Sequence, residues 1–208
     1  MKRYLLLWMV ILTGLSSCLK DYSQEGGPGP APVPPIPDTT YFVDMEVDGE
    51  KVVYISGQNG YALYFAGGAP VPNIPQTYIC GLGANSVASS FEFKKAFLTY
   101  TIADSTRPLI AQKAMAFFAP GSYQYKDTDY LDGVRLTWAD PQGIVWNTGL
   151  VFSSDADNNF TITKTSTVSN AGQVIGIVIE AKFTCKLYTS SGQSRQVRNG
   201  SFRLGIWL

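Results

Sequence analysis

The 208-residue chain contains no histidine. That absence removes the imidazole from every arrangement that depends on it, including Ser-His-Asp and Cys-His nucleophile activation and His-ligated metal sites. Charge is scarce as well. The 16 basic and 16 acidic residues cancel to a formal net charge of zero, so no basic field attracts nucleic acid, and nucleic acid is not an expected partner. Cysteine occurs three times. Long apolar runs are missing: the longest lies between Tyr4 and Leu12, and even a dozen helical residues cover only roughly 18 Å of a ~30 Å hydrocarbon core. What is present is a wealth of Tyr, Thr, Val, Ile and Phe, residue types that favour strands, in a chain long enough for one domain with a sizeable core.

The first segment, "MKRYLLLWMVILTGLSSC", opens on Lys2 and Arg3, continues through the short apolar run, and ends in small residues before Cys18. Positive start, short apolar middle and small-residue end are the parts of a secretory signal. Leu15-Ser16-Ser17-Cys18 resembles the bacterial lipobox, an aliphatic residue and two small residues before a cysteine. The resemblance implies that residues 1–17 are removed and that Cys18 carries the acyl chains, palmitate among them, as the new N-terminus. Each buried methylene contributes ~0.8 kcal/mol, so several chains hold the protein to a membrane. Lys20 and Asp21, just after the cysteine, resemble a surface-export signal without deciding between the cell surface and the periplasmic face of the outer membrane.

Residues 18–40 form the lipidated end and a tether. "SQEGGPGPAPVPPIPDTT" is rich in Gly and Pro and has little to bury. Such sequence favours extended polyproline II at ~3.1 Å per residue, so about twenty residues reach up to ~60 Å.

Residues 41–208 read as strands. "YFVDMEVDGEKVVYIS" turns at Asp48-Gly49, a hairpin signal. In "GVRLTW", Val134, Leu136 and Trp138 share one face, which assigns Trp138 to the core. "ADPQG" turns, and "IVWNTGLVF" resumes as a strand. In "QVIGIVIEAKFTCKLY", Ile175, Ile177, Ile179, Ala181, Phe183, Cys185 and Leu187 alternate with Glu180, Lys182, Thr184 and Lys186, giving one dry and one wet face. "SFRLGIWL" turns Phe202, Leu204, Ile206 and Leu208 inward. "STRPLIAQKAMAFFAPG" predicts a short helix near 108–118, capped around Ser105 and Thr106, with Leu109, Ile110, Lys113, Ala114 and Phe117 at helical spacing and Pro120-Gly121 as its stop. "FEFKKAFLTYTI" fits either period, and its β-branched and aromatic content favours strand. The expected fold is all-β, an antiparallel β-sandwich of immunoglobulin-like or jelly-roll-like kind, with one short helix.

Setting Cys18 aside leaves Cys80 and Cys185, both at inward-facing strand positions. Two readings stand. A disulfide would close a loop of about a hundred residues and stabilise by up to ~4–5 kcal/mol in the chain-entropy model. Otherwise the pair packs as two small buried hydrophobes.

The lipobox, the Pro/Gly tether and a domain opening on "VDMEVDGEKVVY", with "PGSYQY", "DGVRLTWADPQGIVWNT", "NFTITK", "AKFTCKLYTSSGQ" and "VRNGSFRL" further on, resemble the small envelope lipoproteins of Bacteroidota. The resemblance implies an all-β domain at the outer membrane. Those families are largely of unknown function, so it implies no catalytic residue.

Candidate chemistry is sparse. Asp155, Asp157 and Asn159 begin like a calcium loop, but Phe160 and Ser166 stand where the glycine and the late glutamate belong. Asp127, Asp129 and Asp132 form a second acidic cluster. Solvated turns account for both, since Asp and Asn are favoured there; no metal or cofactor is expected. Paired carboxylates could hydrolyse glycosides at ~5–10 Å separation, but nothing in the sequence pairs the acids. Aromatic side chains are the better binding candidates, since their faces stack on sugars and anchor interfaces: Tyr123, Tyr125, Tyr130, Trp146 and Trp207, the two tryptophans expected on the outward side of their strands. The expectation is therefore a lipid-anchored, non-catalytic binding protein with a glycan or envelope-protein partner. A structural or adhesin component is the first alternative, and a carboxylate-based glycosidase the second.

Overall fold

The computed structural model describes residues 40–66, 71–85, 87–104, 106–128, 131–149 and 158–208. All of them belong to one compact unit, Pro37–Leu208; the other unit, Met1–Ile36, lies outside the described residues. Strands are β1 (Phe42–Val47), β2 (Glu50–Ile55), β3 (Tyr61–Ala66), β4 (Pro75–Ala84), β5 (Val87–Thr99), β6 (Gly121–Ser122), β7 (Val134–Ala139), β8 (Val145–Asn147), β9 (Asn159–Asn170), β10 (Gln173–Tyr188) and β11 (Ser194–Trp207). A 3₁₀ turn, Ile102–Asp104, precedes the helix α1 (Arg107–Phe117).

The strands follow the alternation of the sequence. Val43, Met45 and Val47 on β1 are buried while their neighbours are not, and Asp48 and Gly49 take positive φ (51° and 91°) to close the β1–β2 hairpin. On β10 the odd-numbered positions from Ile177 to Leu187 are buried, and Lys182 on the other face is exposed. Val134, Leu136 and Trp138 are buried on β7.

All ladders between the named strands are antiparallel, in the order β2-β1-β11-β10-β8-β7-β5-β4-β3, with β9 on β10 and β6 on β9. The architecture is the expected all-β, sandwich-like one. Its two layers belong to one sheet: β8, three residues long, pairs with β7 through Trp138↔Trp146 and with β10 through Tyr188↔Asn147. Rings bridge the layers. Phe93 on β5 stacks on Phe160 of β9 at 5.4 Å and meets Phe202 of β11 at 5.2 Å, and Phe91 stacks on Phe183 of β10 at 5.6 Å. Burying large aromatic surfaces in offset and tilted geometries is the main apolar contribution to such a core.

Helix α1 forms where expected and packs against β9 and β10. Its inward face differs from the expected one: Ala111 and Ala114 are buried, Leu109 is exposed, and Lys113 turns to Asp104. The small alanines let the helix approach the strands, and Phe118, just past its end, seals the contact on Tyr78 and Phe93. The segment of double period is a strand, β5, interrupted by a bulge opposite Gln76–Thr77 where Phe97 takes φ 74°.

Cys80 and Cys185 are buried and free, so the bridged reading is corrected here. Both thiols belong to the shared core. Cys80 sits between Phe65 and Phe93 in the ladders, and Cys185 opposite Val197. The interlayer space beside both is filled by the phenyl rings described above. Burial raises both thiol pKa values, that of Cys185 to about 12.

Candidate functional site

The expected aromatic platform is not where the sequence put it. Trp146 is 4% exposed. As the register partner of inward-facing Trp138 it must point inward too; its indole N–H donates to Asp140 Oδ2 at 3.1 Å, and the Arg195 guanidinium lies over its ring at 4.8 Å. Trp207 is half-buried. Its ring covers Gly176, where a Cβ would come within 2.1 Å of it, and Phe65 meets its edge at 6.0 Å. Tyr123 and Tyr125 are half-buried and their hydroxyls are spent on carbonyls, Tyr123 on Ala119 at 2.6 Å and Tyr125 on Asn159 at 3.1 Å. One face of Tyr123 is taken by Lys95, 4.7 Å from the ring centroid. Burial and the neighbouring Cys185 push the Tyr125 phenol well up. Cys18, Asp129, Tyr130, Asp155 and Asp157 lie outside the described residues.

The acids are placed apart. Asp127 pairs with Arg135 at 3.8 Å, Asp132 with Lys95 at 3.4 Å, and Asn159 starts β9, its Oδ1 accepting from Thr161 Oγ1 at 3.2 Å. Among the described residues no three Asp, Glu or Cys side chains converge to hold a metal ion. Glu92 has its carboxyl raised by burial, and its neighbours are Arg135, Lys94 and Tyr64 rather than a second acid.

A groove of about 530 Å³ opens instead on the outer face of β9, β10 and β11. Its rows come from strand register. Thr161, Lys182 and Ser201 stand side by side across the three strands, and Thr184 stands opposite Asn159 in the next row. Neighbouring strands lie ~4.8 Å apart and alternate residues ~7 Å apart, so this grid presents polar groups at the scale of a sugar ring. Asn199, at φ 51° on the bulged stretch of β11, closes one side and donates to Glu46 at 3.1 Å. The floor is Gly200 against the Phe183 ring, where a Cβ would come within 2.4 Å of the ring. A glycine is therefore needed for the strand to lie this close.

Part of the groove is committed and part is not. Thr161 is shared with Asn159 and Ser122, and Thr163 donates to the Glu180 carbonyl at 3.1 Å. Lys182, Thr184 and Ser201 have side chains with no hydrogen bond or ion pair among the described residues. Sequence reading passed over all three. They form part of the wet side of "AKFTCK" and "GSFR", and an exposed polar face is the default for a half-buried strand; at the groove's edge β11 carries a bulge at Arg198–Asn199, opposite Phe183–Cys185, which no local pattern announces.

Comparison with family models, with curated proteins and with solved structures finds no match to this chain.

Proposed function

We propose that this chain is an envelope lipoprotein, anchored through acylated Cys18 at the outer membrane, whose β-domain binds a glycan non-catalytically in the groove on β9, β10 and β11. The observation that carries the binding role is the set of uncommitted polar groups lining that groove, Lys182 in register with Ser201 and Thr184 in the next row of β10. Polar groups already exposed and aligned on rigid strands bind hydroxyl-rich ligands without reordering, which lowers the cost of association. The anchor rests on the lipobox and on the short apolar segment that precedes it.

The test is a glycan array probed with the purified full chain, repeated with the double variant Thr184→Ala and Ser201→Ala. Binding of a defined glycan set by the parent, weakened in the variant while circular dichroism stays unchanged, is the expected result. A folded parent that binds no glycan would remove the reading.

A further inference from the structure

The charges around the groove say what kind of glycan it suits, an inference that rests on the glycan-binding reading above. Lys182 stands in the groove with no carboxylate partner among the described residues. Its acidic neighbour on the same face, Glu180, is already held twice, by Arg203 at 2.8 Å and by Lys164 at 3.7 Å. On the next strand Asp44, the register partner of Ser201, is held by Lys51 at 3.3 Å, and Glu46 is held by the Asn199 amide and faces Arg198. Lys164 and Arg203 already outnumber Glu180, and Lys182 adds a further positive charge in the groove. Among the described residues no carboxylate lines the groove. A neutral sugar needs hydrogen-bond partners only; an unpaired ammonium flanked by hydroxyls is matched by an anionic group instead, since a charge-assisted hydrogen bond is about twice as strong as a neutral one.

We infer that the groove takes an acidic glycan, and that Lys182 receives its carboxylate or sulfate while Thr184 and Ser201 meet neighbouring hydroxyls. The test compares matched polymers by titration calorimetry on the full chain: polygalacturonate against its methyl ester, and dextran sulfate against dextran. The acidic member of one pair should bind about tenfold or more tighter than its neutral partner, and Lys182→Gln should erase about tenfold of that preference. Which pair responds tells carboxylate from sulfate. The charge-matched control Arg107→Gln, an exposed change on α1, should leave binding unchanged. Equal binding of both members, or an equal loss in the Arg107 control, overturns the inference. Binding confined to neutral glycans on the array also overturns it while leaving the glycan reading in place, and absence of any glycan binding removes both.

Discussion

Lys95 shows how a single residue can be held against its own solvation. It lies on the inward face of β5, in line with Phe91 and Phe93, and its side chain is 4% exposed. The ammonium sits 3.9 Å from the Phe117 ring centroid and 4.7 Å from that of Tyr123, with Asp132 at 3.4 Å as its ion partner. Burial lowers its pKa against the opposing pull of Asp132. A buried charge of this kind is commonly replaced without loss by an apolar side chain of similar length, so Lys95→Met should raise stability by about 1–2 kcal/mol. The pH dependence follows from the sign of the shift. The folded-state pKa lies below the unfolded one, so the wild type carries the penalty at neutral pH and is relieved of it as pH rises through the folded pKa. Urea denaturation at about pH 7 and about pH 10 should show the gap between variant and parent narrowing at the higher pH. A variant less stable than the parent at neutral pH would show that the cation–π contacts outweigh desolvation.

Among the elements, β8 depends most on its turn. Asp140 is 1% exposed and its carboxylate accepts from the backbone N–H groups of Gln142 and Ile144 and from the Trp146 indole. These bonds end the turn at Ile144 and fix which face of β8 is inward. Asp140→Ala leaves the buried Trp146 indole and two turn amides without their acceptor and should cost about 1–3 kcal/mol, with Asp140→Asn costing less because its carbonyl still accepts. Denaturation followed by tryptophan fluorescence reads this directly, since Trp138 and Trp146 face each other there. This turn also marks how far the sequence could be read. Wherever alternation ran long, as in β10 and β11, the dry face was legible residue by residue, and the Asp48-Gly49 hairpin and the helix announced themselves by turn and cap chemistry. Trp146 was misplaced because β8 has three residues, too few for a period, and its parity comes from pairing with Trp138. Leu109 was misplaced because helical spacing alone could not choose alanines over larger residues as the packed face. The bulge at Phe97 and the one at Asn199 beside the groove are shifts in strand register, which depend on partners distant in the chain.

At the scale of the whole molecule, the two thiols report on opening of the core. Cys80 and Cys185 are both 0% exposed, and burial holds them as thiols well above neutral pH. Iodoacetamide should leave them unlabelled in the native protein. In denaturant without reductant, intact mass should show two labels, because the third cysteine, Cys18, is consumed as a thioether under the lipoprotein proposal. Three labels would mean a free Cys18 and remove the anchor; none would mean that Cys80 and Cys185 are bridged.

The strand β1 finds its partner late. Residues Phe42 to Val47 pair with Arg203 to Val197, so the first described hairpin waits for the last described strand. Such distant pairing slows folding, because loop closure comes before any contact repays it. A chain paused during synthesis before β11 has appeared would leave β1 and β10 with bare edges, the state most prone to aggregation. Assembly of this fold is thereby deferred until β11 is free to pair, which, under the lipoprotein proposal, suits a chain threaded through a membrane pore unfolded.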